Sequence, residues 1–391
     1  MARKKTEVVI EDKNKITDAE RKKRIELVIA NMRKKDDSIV IGKLSDPDIQ
    51  EQLDIEFIPT PSINFNSATG GGLPKGKVSI IAGPEDSGKT SIVLETIGKM
   101  HRENPEGHFA LWLESEASLS LDYMVNQFGI DPERFFFIQF DRNHSAEQCL
   151  DQAEALLQTG VIDLFCINTL KALVPESEMN KSMEQVNVGA AARMNSRAMG
   201  KFVPLIKQYK TAMILVQHLT TNIGGFSMYG DNLILAGGRA IRTASILTVE
   251  MRKAAILDTD PIGKEDGVKI NCKVLKNHCI PREFPYRKFT YYAIFGEGVE
   301  QILSTLDELI DMGVIHKAGA WMQQLDPETG EIVDKWNGRN AFREDMKANP
   351  DKLERLKSLV HGSFETLSEE EVVEIKKMEK QAEEAEEAIN G

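Results

Sequence analysis

No apolar run in this chain of 391 residues approaches the ~20 residues that a membrane-spanning helix needs. The basic start, Met1-Ala2-Arg3-Lys4-Lys5, is not followed by an apolar segment of signal-peptide type, so a cytoplasmic protein without a membrane role is expected. Cysteine is scarce as well. Cys149, Cys166, Cys272 and Cys279 show neither CxxC spacing nor a disulfide rhythm, and two of them fall inside predicted strands, as core thiols of a reduced protein do. Positive charge is in deficit: 49 Lys and Arg stand against 61 Asp and Glu, a net charge of −12. Composition therefore gives no basic footprint of the kind that announces a nucleic-acid binder, and any DNA binding has to come from local geometry. The deficit is uneven, because residues 1–35 hold 12 Lys and Arg against 6 Asp and Glu, while residues 362–391 hold 3 Lys against 10 Glu. No internal repeat is visible.

What the chain does have is 41% hydrophobic residues, enough to bury a large core, and one stretch with a definite chemistry. Gly83-Pro84-Glu85-Asp86-Ser87-Gly88-Lys89-Thr90 fits the phosphate-binding loop G-x-x-x-x-G-K-[ST]. The largely β-branched Lys77–Ala82 precedes it as a predicted buried strand, and Ser91–Ile97 follows with apolar residues at helical spacing. Gly83 and Gly88 let the backbone turn tightly and bring its N–H groups near phosphate oxygens, and the helix start adds unpaired N–H groups aimed at the same anion. In such a loop Lys89 reaches the β and γ phosphates and the Thr90 hydroxyl ligates Mg²⁺. The motif implies a nucleotide with Mg²⁺, bound by residues 83–91.

Around this stretch strands and helices alternate, the pattern of a mostly parallel sheet with helices on both faces. Strands are predicted at Phe109–Glu114, Phe135–Phe140, Ile162–Ile167, Thr211–Val216, Ile246–Met251, Val268–Leu275 and Phe289–Phe295, with helices over Ala146–Gln158 and Val188–Tyr209. Thr220–Gly238 reads as a long loop, a length usually tied to function. Thr17 caps a helix running to Arg33, with Glu20 three residues on and Ile25, Leu27, Val28, Ile29 and Met32 as its apolar stripe. That stripe has no local partner, so it docks either on its own core or on a neighbour. The expected organisation is an N-terminal helix and linker (1–57), with 36–58 irregular, then a nucleotide-binding α/β core (58–296). A small C-terminal α+β subdomain (297–361) and an acidic tail (362–391), solvated helix or disordered, complete it.

Several separate stretches resemble the RecA recombinases, of bacterial or phage type, over about Ile58–Leu359. They are Gly71-Gly72-Leu73-Pro74-Lys75-Gly76, the phosphate loop, Gly189–Met194, Gly237-Gly238, Val274-Leu275-Lys276-Asn277, Phe295-Gly296-Glu297-Gly298 and Lys317-Ala318-Gly319-Ala320-Trp321. The loop alone is common to many ATPases; the set in this order is far more specific. The resemblance implies a P-loop RecA-like core that polymerises on single-stranded DNA with ATP between subunits. Such a filament pairs its strand with a homologous duplex in recombination and repair. Loader or mediator proteins and single-strand-binding proteins are the further partners it implies. By the same resemblance Glu116 falls on the carboxylate that orients the attacking water, Tyr123 on the ring against adenine, and His218 on the residue that senses the γ-phosphate. Glu176–Asn187 and Thr220–Ala236 fall on two DNA-facing loops, the second carrying Phe226. Arg193, Ser196, Gly237, Gly238 and Arg239 match or neighbour positions that hold the DNA backbone.

Three departures bear on turnover. Asn168 stands where the family has an aspartate that supports Mg²⁺ through water, and a neutral carbonyl grips that shell less firmly. Asp163 cannot replace it, being five residues away in a strand, on the opposite face and about 16 Å distant. The family's interfacial lysine pair becomes Lys276 and His278, and Ser120 takes the place of an acidic residue facing the adenine amino group. The sequence thus predicts a slow DNA-dependent ATPase in which Asn168→Asp speeds turnover several-fold. A filament-forming nucleotide switch with little turnover is the alternative, and a hexameric motor on the same core a third reading.

Overall fold

The computed structural model describes residues 16–36, 40–117, 119–179, 189–221, 233–235, 238–257, 267–280, 287–326 and 329–362. The chain forms two compact units, Met1–Ile55 and Glu56–Gly391.

In the first unit, α1 (Asp18–Lys35) starts as the sequence dictates. Glu20 N–H donates to Thr17 Oγ1 at 3.4 Å while Thr17 N–H donates to Glu20 Oε2 at 3.0 Å, a reciprocal cap. No residue of α1 is buried, and Ile25, Leu27, Val28 and Met32 are each at least half exposed. The stretch expected to be irregular holds a second helix, α2 (Pro47–Leu53). Proline at its first position, after Asp46, supplies a preset φ where no N–H is needed, a signal passed over in the mixed composition.

The second unit is built on one large sheet. Its elements in chain order begin with β1 (Phe57–Ile58), α3 (Ile63–Thr69), β2 (Leu73–Pro74), β3 (Val78–Gly83), α4 (Lys89–Glu103) and β4 (Phe109–Glu114). Next come β5 (Phe135–Gln139), α5 (Ala146–Leu157), β6 (Ile162–Asn168), α6 (Glu176–Met179), α7 (Ala190–Tyr209), β7 (Ala212–Thr221), β8 (Leu233–Leu235) and α8 (Gly238–Ala244). The antiparallel strands β9 (Ser245–Leu257), β10 (Gly267–Asn277), β11 (Lys288–Ile294) and β12 (Gly298–Val299) follow. The sheet order is β12-β11-β10-β9-β3-β7-β6-β4-β5, parallel from β9 through β5 and antiparallel from β9 to β12, with β8 beside β7. Every residue of β3 is buried, as a central strand covered on both faces must be. Its alternation splits the core. Ile81 joins Ile92, Leu94 and Ile97 of α4, whereas Ile80 and Ala82 join Leu150, Ala153, Met194, Phe202 and Ile206 of α5 and α7. The predicted loop after β7 is partly strand: residues 233–235 pair antiparallel with 219–221, while 222–232 and 236–237 lie outside the described residues.

The C-terminal part continues with α9 (Gln301–Asp311), the antiparallel β13 (Ile315–Ala318), β14 (Trp321–Leu325) and β15 (Ile332–Asn337), then α10 (Gly338–Ala348) and α11 (Pro350–Gly362). Its own core gathers Leu306, Leu309, Trp336, Phe342 and Val360, with Trp336 edge-on to Phe342 at 4.9 Å. Of the acidic tail, residues 363–391 fall outside the described residues.

Buried Glu95, midway along α4, ties that helix to the last strand of the sheet. Its Oε1 accepts the Val299 N–H at 2.9 Å and its Oε2 has no partner among the described residues. Burial raises its pKa to about 7, against the opposing pull of that N–H and of Arg102. Between pH 4.5 and 7 the folded protein thus keeps a proton that the unfolded chain releases, and stability falls as pH rises through that window. Glu95→Gln keeps the acceptor and removes the charge. It is expected to stabilise the protein at pH 8 by on the order of 1–3 kcal/mol and by much less at pH 4.5. Urea unfolding at both pH values checks this; an equal effect at both removes the carboxylate as the cause.

Candidate nucleotide-binding site

The parallel strands deliver their carboxyl ends to one edge of the sheet, in register. Gly83 lies opposite His218, Glu114 opposite Asn168, and Asn168 opposite Val216. At this edge the loop after β3 turns through Gly88 at φ 80°, and a Cβ on Gly83 would collide with the Met251 carbonyl oxygen. A cavity of about 390 Å³ opens here, lined by Glu85, Asp86, Ser87, Gly88, Lys89, Thr90 and Ser91. Glu116, Leu119, Tyr123, Asn168 and His218 complete its wall. Pro84 lines an adjoining cavity of about 720 Å³ together with Glu116, Thr169, Lys171 and His218.

Lys89 is 5% exposed, and its ammonium donates to the Pro84 carbonyl and, at 3.4 Å, to Ser87 Oγ. Burial pushes its pKa down, while Glu116, Asp86 and Glu85 pull it back up. Among the described residues no carboxylate lies within ion-pair distance of it, so this cation lacks the counter-charge that an anionic ligand brings. Glu116 Oε1 accepts from His218 Nε2 at 2.9 Å and from Thr169 Oγ1 at 3.4 Å, which holds the carboxylate at the cavity wall. Tyr123 opens a short π-helical turn, with its N–H on Ser120 Oγ at 3.2 Å and its ring edge-on to Phe128 at 4.9 Å. Asn168 is fully buried, and its Oδ1 has no partner among the described residues.

These residues fit a nucleotide with Mg²⁺. No three His, Cys, Asp or Glu among the described residues gather into a metal cluster. A cation here would therefore be held by the Thr90 hydroxyl, the Asn168 amide oxygen acting through water, and the ligand's own phosphates, in the oxygen-rich and partly hydrated manner of Mg²⁺.

Lys276 is not brought to this cavity: on β10, its Nζ donates to the Ser245 carbonyl and to that of Arg242 at 2.9 Å. Burial lowers its pKa. Arg193 and Ser196 lie exposed on α7, and α8, with Gly238 at its start and Arg239 exposed, packs beside α7. Phe226 and Gly237 lie outside the described residues.

Sequence reading missed two groupings. Glu114 is bonded to Asn168, to Trp112 and to the Glu116 backbone. A net-basic cleft of about 590 Å³ between the β9–β11 ribbon and α10 is lined by Arg252, Lys269, Lys273, Lys288 and Arg339, with Glu250, Asp307 and Asp311 among them. Its signal was present in the alternation of Lys269 and Lys273 along one strand, hidden by an acidic total.

A glycine loop joining a central parallel strand to a helix, with acidic and polar residues on the neighbouring strand ends, defines a P-loop nucleotide-binding α/β protein. Residues 23–300 match the model of the RecA N-terminal domain. Protein RecA of Ruminococcus albus is 31% identical over 350 residues, 89% of this chain and 82% of that protein. Protein RecA of Aquifex pyrophilus is 30% identical over 79% of this chain and 84% of its own, and that of Syntrophus aciditrophicus 29% over 91% and 98%. The chain belongs to the RecA family.

Lys89→Ala is expected to weaken binding of a fluorescent adenine nucleotide roughly 10- to 100-fold, the loss of one charge-assisted bond. The melting temperature should not fall, because the variant also removes a buried charge. Fluorescence titration checks it, and unchanged affinity would take Lys89 out of the site.

Proposed function

We propose that this protein is a DNA-dependent ATPase that assembles as a filament on single-stranded DNA and pairs that strand with a homologous duplex. The observation that carries the reading is the convergence of the phosphate loop, Glu116, Asn168 and His218 on one cavity in a chain of the RecA family. Its similarity to proteins named RecA supports the recombination and repair role.

In this reading the loop amides and Lys89 hold the phosphates, and Tyr123 packs on the adenine. Glu116, aligned by His218 and Thr169, takes the proton of the attacking water. Mg²⁺, held through Thr90 and Asn168, supplies charge neutralisation on the phosphates. Lys276, turned away from its own cavity, serves the nucleotide of an adjacent subunit. Arg193, Ser196, Gly238 and Arg239, with Phe226 and Gly237, face the DNA, and the basic cleft of the β9–β11 ribbon gives a second polyanion somewhere to lie. Turnover is slow because Asn168 offers a neutral oxygen to the metal's shell. The exposed apolar stripe of α1 docks on a neighbouring subunit, and the acidic tail competes with DNA for cationic surface. No described helix is long and apolar enough to cross a membrane; we place the protein in the cytoplasm, with loader and single-strand-binding proteins as partners.

Phosphate release with and without single-stranded DNA, alongside electron microscopy of the same samples, tests the reading. DNA-stimulated release and helical filaments are expected; ATP turnover indifferent to DNA would overturn it. Deleting residues 1–35 should leave a folded, nucleotide-binding monomer, and filaments of undiminished length would rule out α1 as the polymerisation element.

A further inference from the structure

Glu114 is fully buried at the carboxyl end of β4, and both its oxygens are engaged within the protein. Oε2 accepts from Trp112 Nε1 at 2.9 Å and from Asn168 Nδ2 at 3.0 Å, and Oε1 accepts the Glu116 N–H at 2.7 Å. A carboxylate in this state only accepts, so Asn168 must turn its NH₂ toward Glu114. The other amide atom, Oδ1, is left buried without a partner in a residue that lines the cavity. An orphaned buried acceptor at a cavity wall is a group to which a ligand-borne donor or a metal-bound water can bind.

We propose that Glu114 is a positioning residue of this site: it commits the Asn168 NH₂ so that Oδ1 is left for the ligand, and it anchors the Glu116 backbone from which the carboxylate reaches His218. The inference rests on the reading of the cavity as a Mg²⁺–nucleotide site. It also gives Asn168 a reason. With a buried carboxylate 3.0 Å from Nδ2, an aspartate at this position would replace the donor of that bond with a second anion. One carboxylate and one amide satisfy the pair; two carboxylates do not. The gain in turnover that sequence alone assigns to Asn168→Asp is therefore reversed: the single substitution weakens the site. Glu114 itself does not line the cavity and is fully buried behind Asn168, so it acts on the site through its neighbours.

The test uses full-length wild type, E114Q, N168D and E114Q/N168D. Mg²⁺ titrations of fluorescent ATP-analogue binding are read beside kcat and KM for DNA-stimulated phosphate release, with melting curves for each protein. E114Q and N168D are each expected to lower Mg²⁺-dependent affinity about 10- to 100-fold, while metal-free nucleotide binding, which depends on the loop, stays near wild type. A merely structural role would lower the melting temperature and weaken both binding modes alike. The double variant exchanges the two groups, so that the amide now on β4 donates an N–H to the carboxylate now on β6. It loses the bond from Trp112 but should recover about tenfold of the N168D defect. N168D at or above wild-type Mg²⁺ affinity, or a double variant no better than N168D, overturns the proposal. If E114Q does not fold, N168D alone still decides. A wild type that binds no Mg²⁺–nucleotide overturns the reading of the cavity itself; one that binds while N168D is unimpaired overturns only the positioning role.

Discussion

The register of the parallel strands is the constraint on which the site depends. A parallel sheet has to return each strand by a crossover, so β3, β4, β6 and β7 all end on one edge. There Gly83 meets His218, and Glu114 meets Asn168. A slip of one residue in either pair would turn the side chains to the opposite face and separate residues that are far apart in the chain. The two apolar cores prevent that slip. Alternate residues of each strand are committed to α4 on one side and to α5 and α7 on the other, so register and burial are one requirement. The chemistry at the edge therefore inherits its precision from packing well below it.

Charge follows a similar logic. The chain is acidic in total, yet it gathers cations locally: Lys89 in the cavity, Arg193 and Arg239 exposed on neighbouring helices, and the five basic residues of the ribbon cleft. Several of the ribbon cations are tempered locally. Arg252 is paired with Glu250, Arg339 with Asp307, and Lys269 lies over the Tyr292 ring at 5.8 Å. Only the Arg252 end of these contacts is exposed; Glu250 and Tyr292 are buried and the Arg339–Asp307 pair is partly buried, so part of the cleft's positive charge is already matched within the protein.

The features legible in the sequence were those set by neighbours in the chain. The phosphate loop, the capping box at Thr17 and the strand–helix alternation each depend on residues a few positions apart, and the fold shows them where they were expected. Long-range relations were not legible. Glu114 and Asn168 are 54 residues apart, and each alone reads as an ordinary strand-end polar residue. Read from sequence, Asn168 is an aspartate with its charge missing; beside Glu114 it is the donor half of a pair. β8 was hidden because three residues between glycine-rich segments carry no period of their own, and only pairing with β7 extends them. The long β9 was underestimated because its outer half, with Lys253, Ala254 and Ala255 exposed, leaves the cover of the helices and loses the apolar pattern.

The buried ionisable groups around α4 can be sorted by what faces them. Glu114 has three donors and belongs to the permanent framework of the edge. Glu95 has one donor and an orphaned oxygen, so burial wins and the carboxyl prefers its proton. Among the described residues Lys89 has a neutral carbonyl and a hydroxyl as its acceptors, with its carboxylate neighbours too distant to form an ion pair. A buried cation with no ion-pair partner among the described residues costs folding free energy, and a ligand carrying several negative charges supplies the interaction that offsets it. The same lack of counter-charge gives the loop a differential affinity for phosphate, since the ligand supplies an interaction that none of the described residues provides.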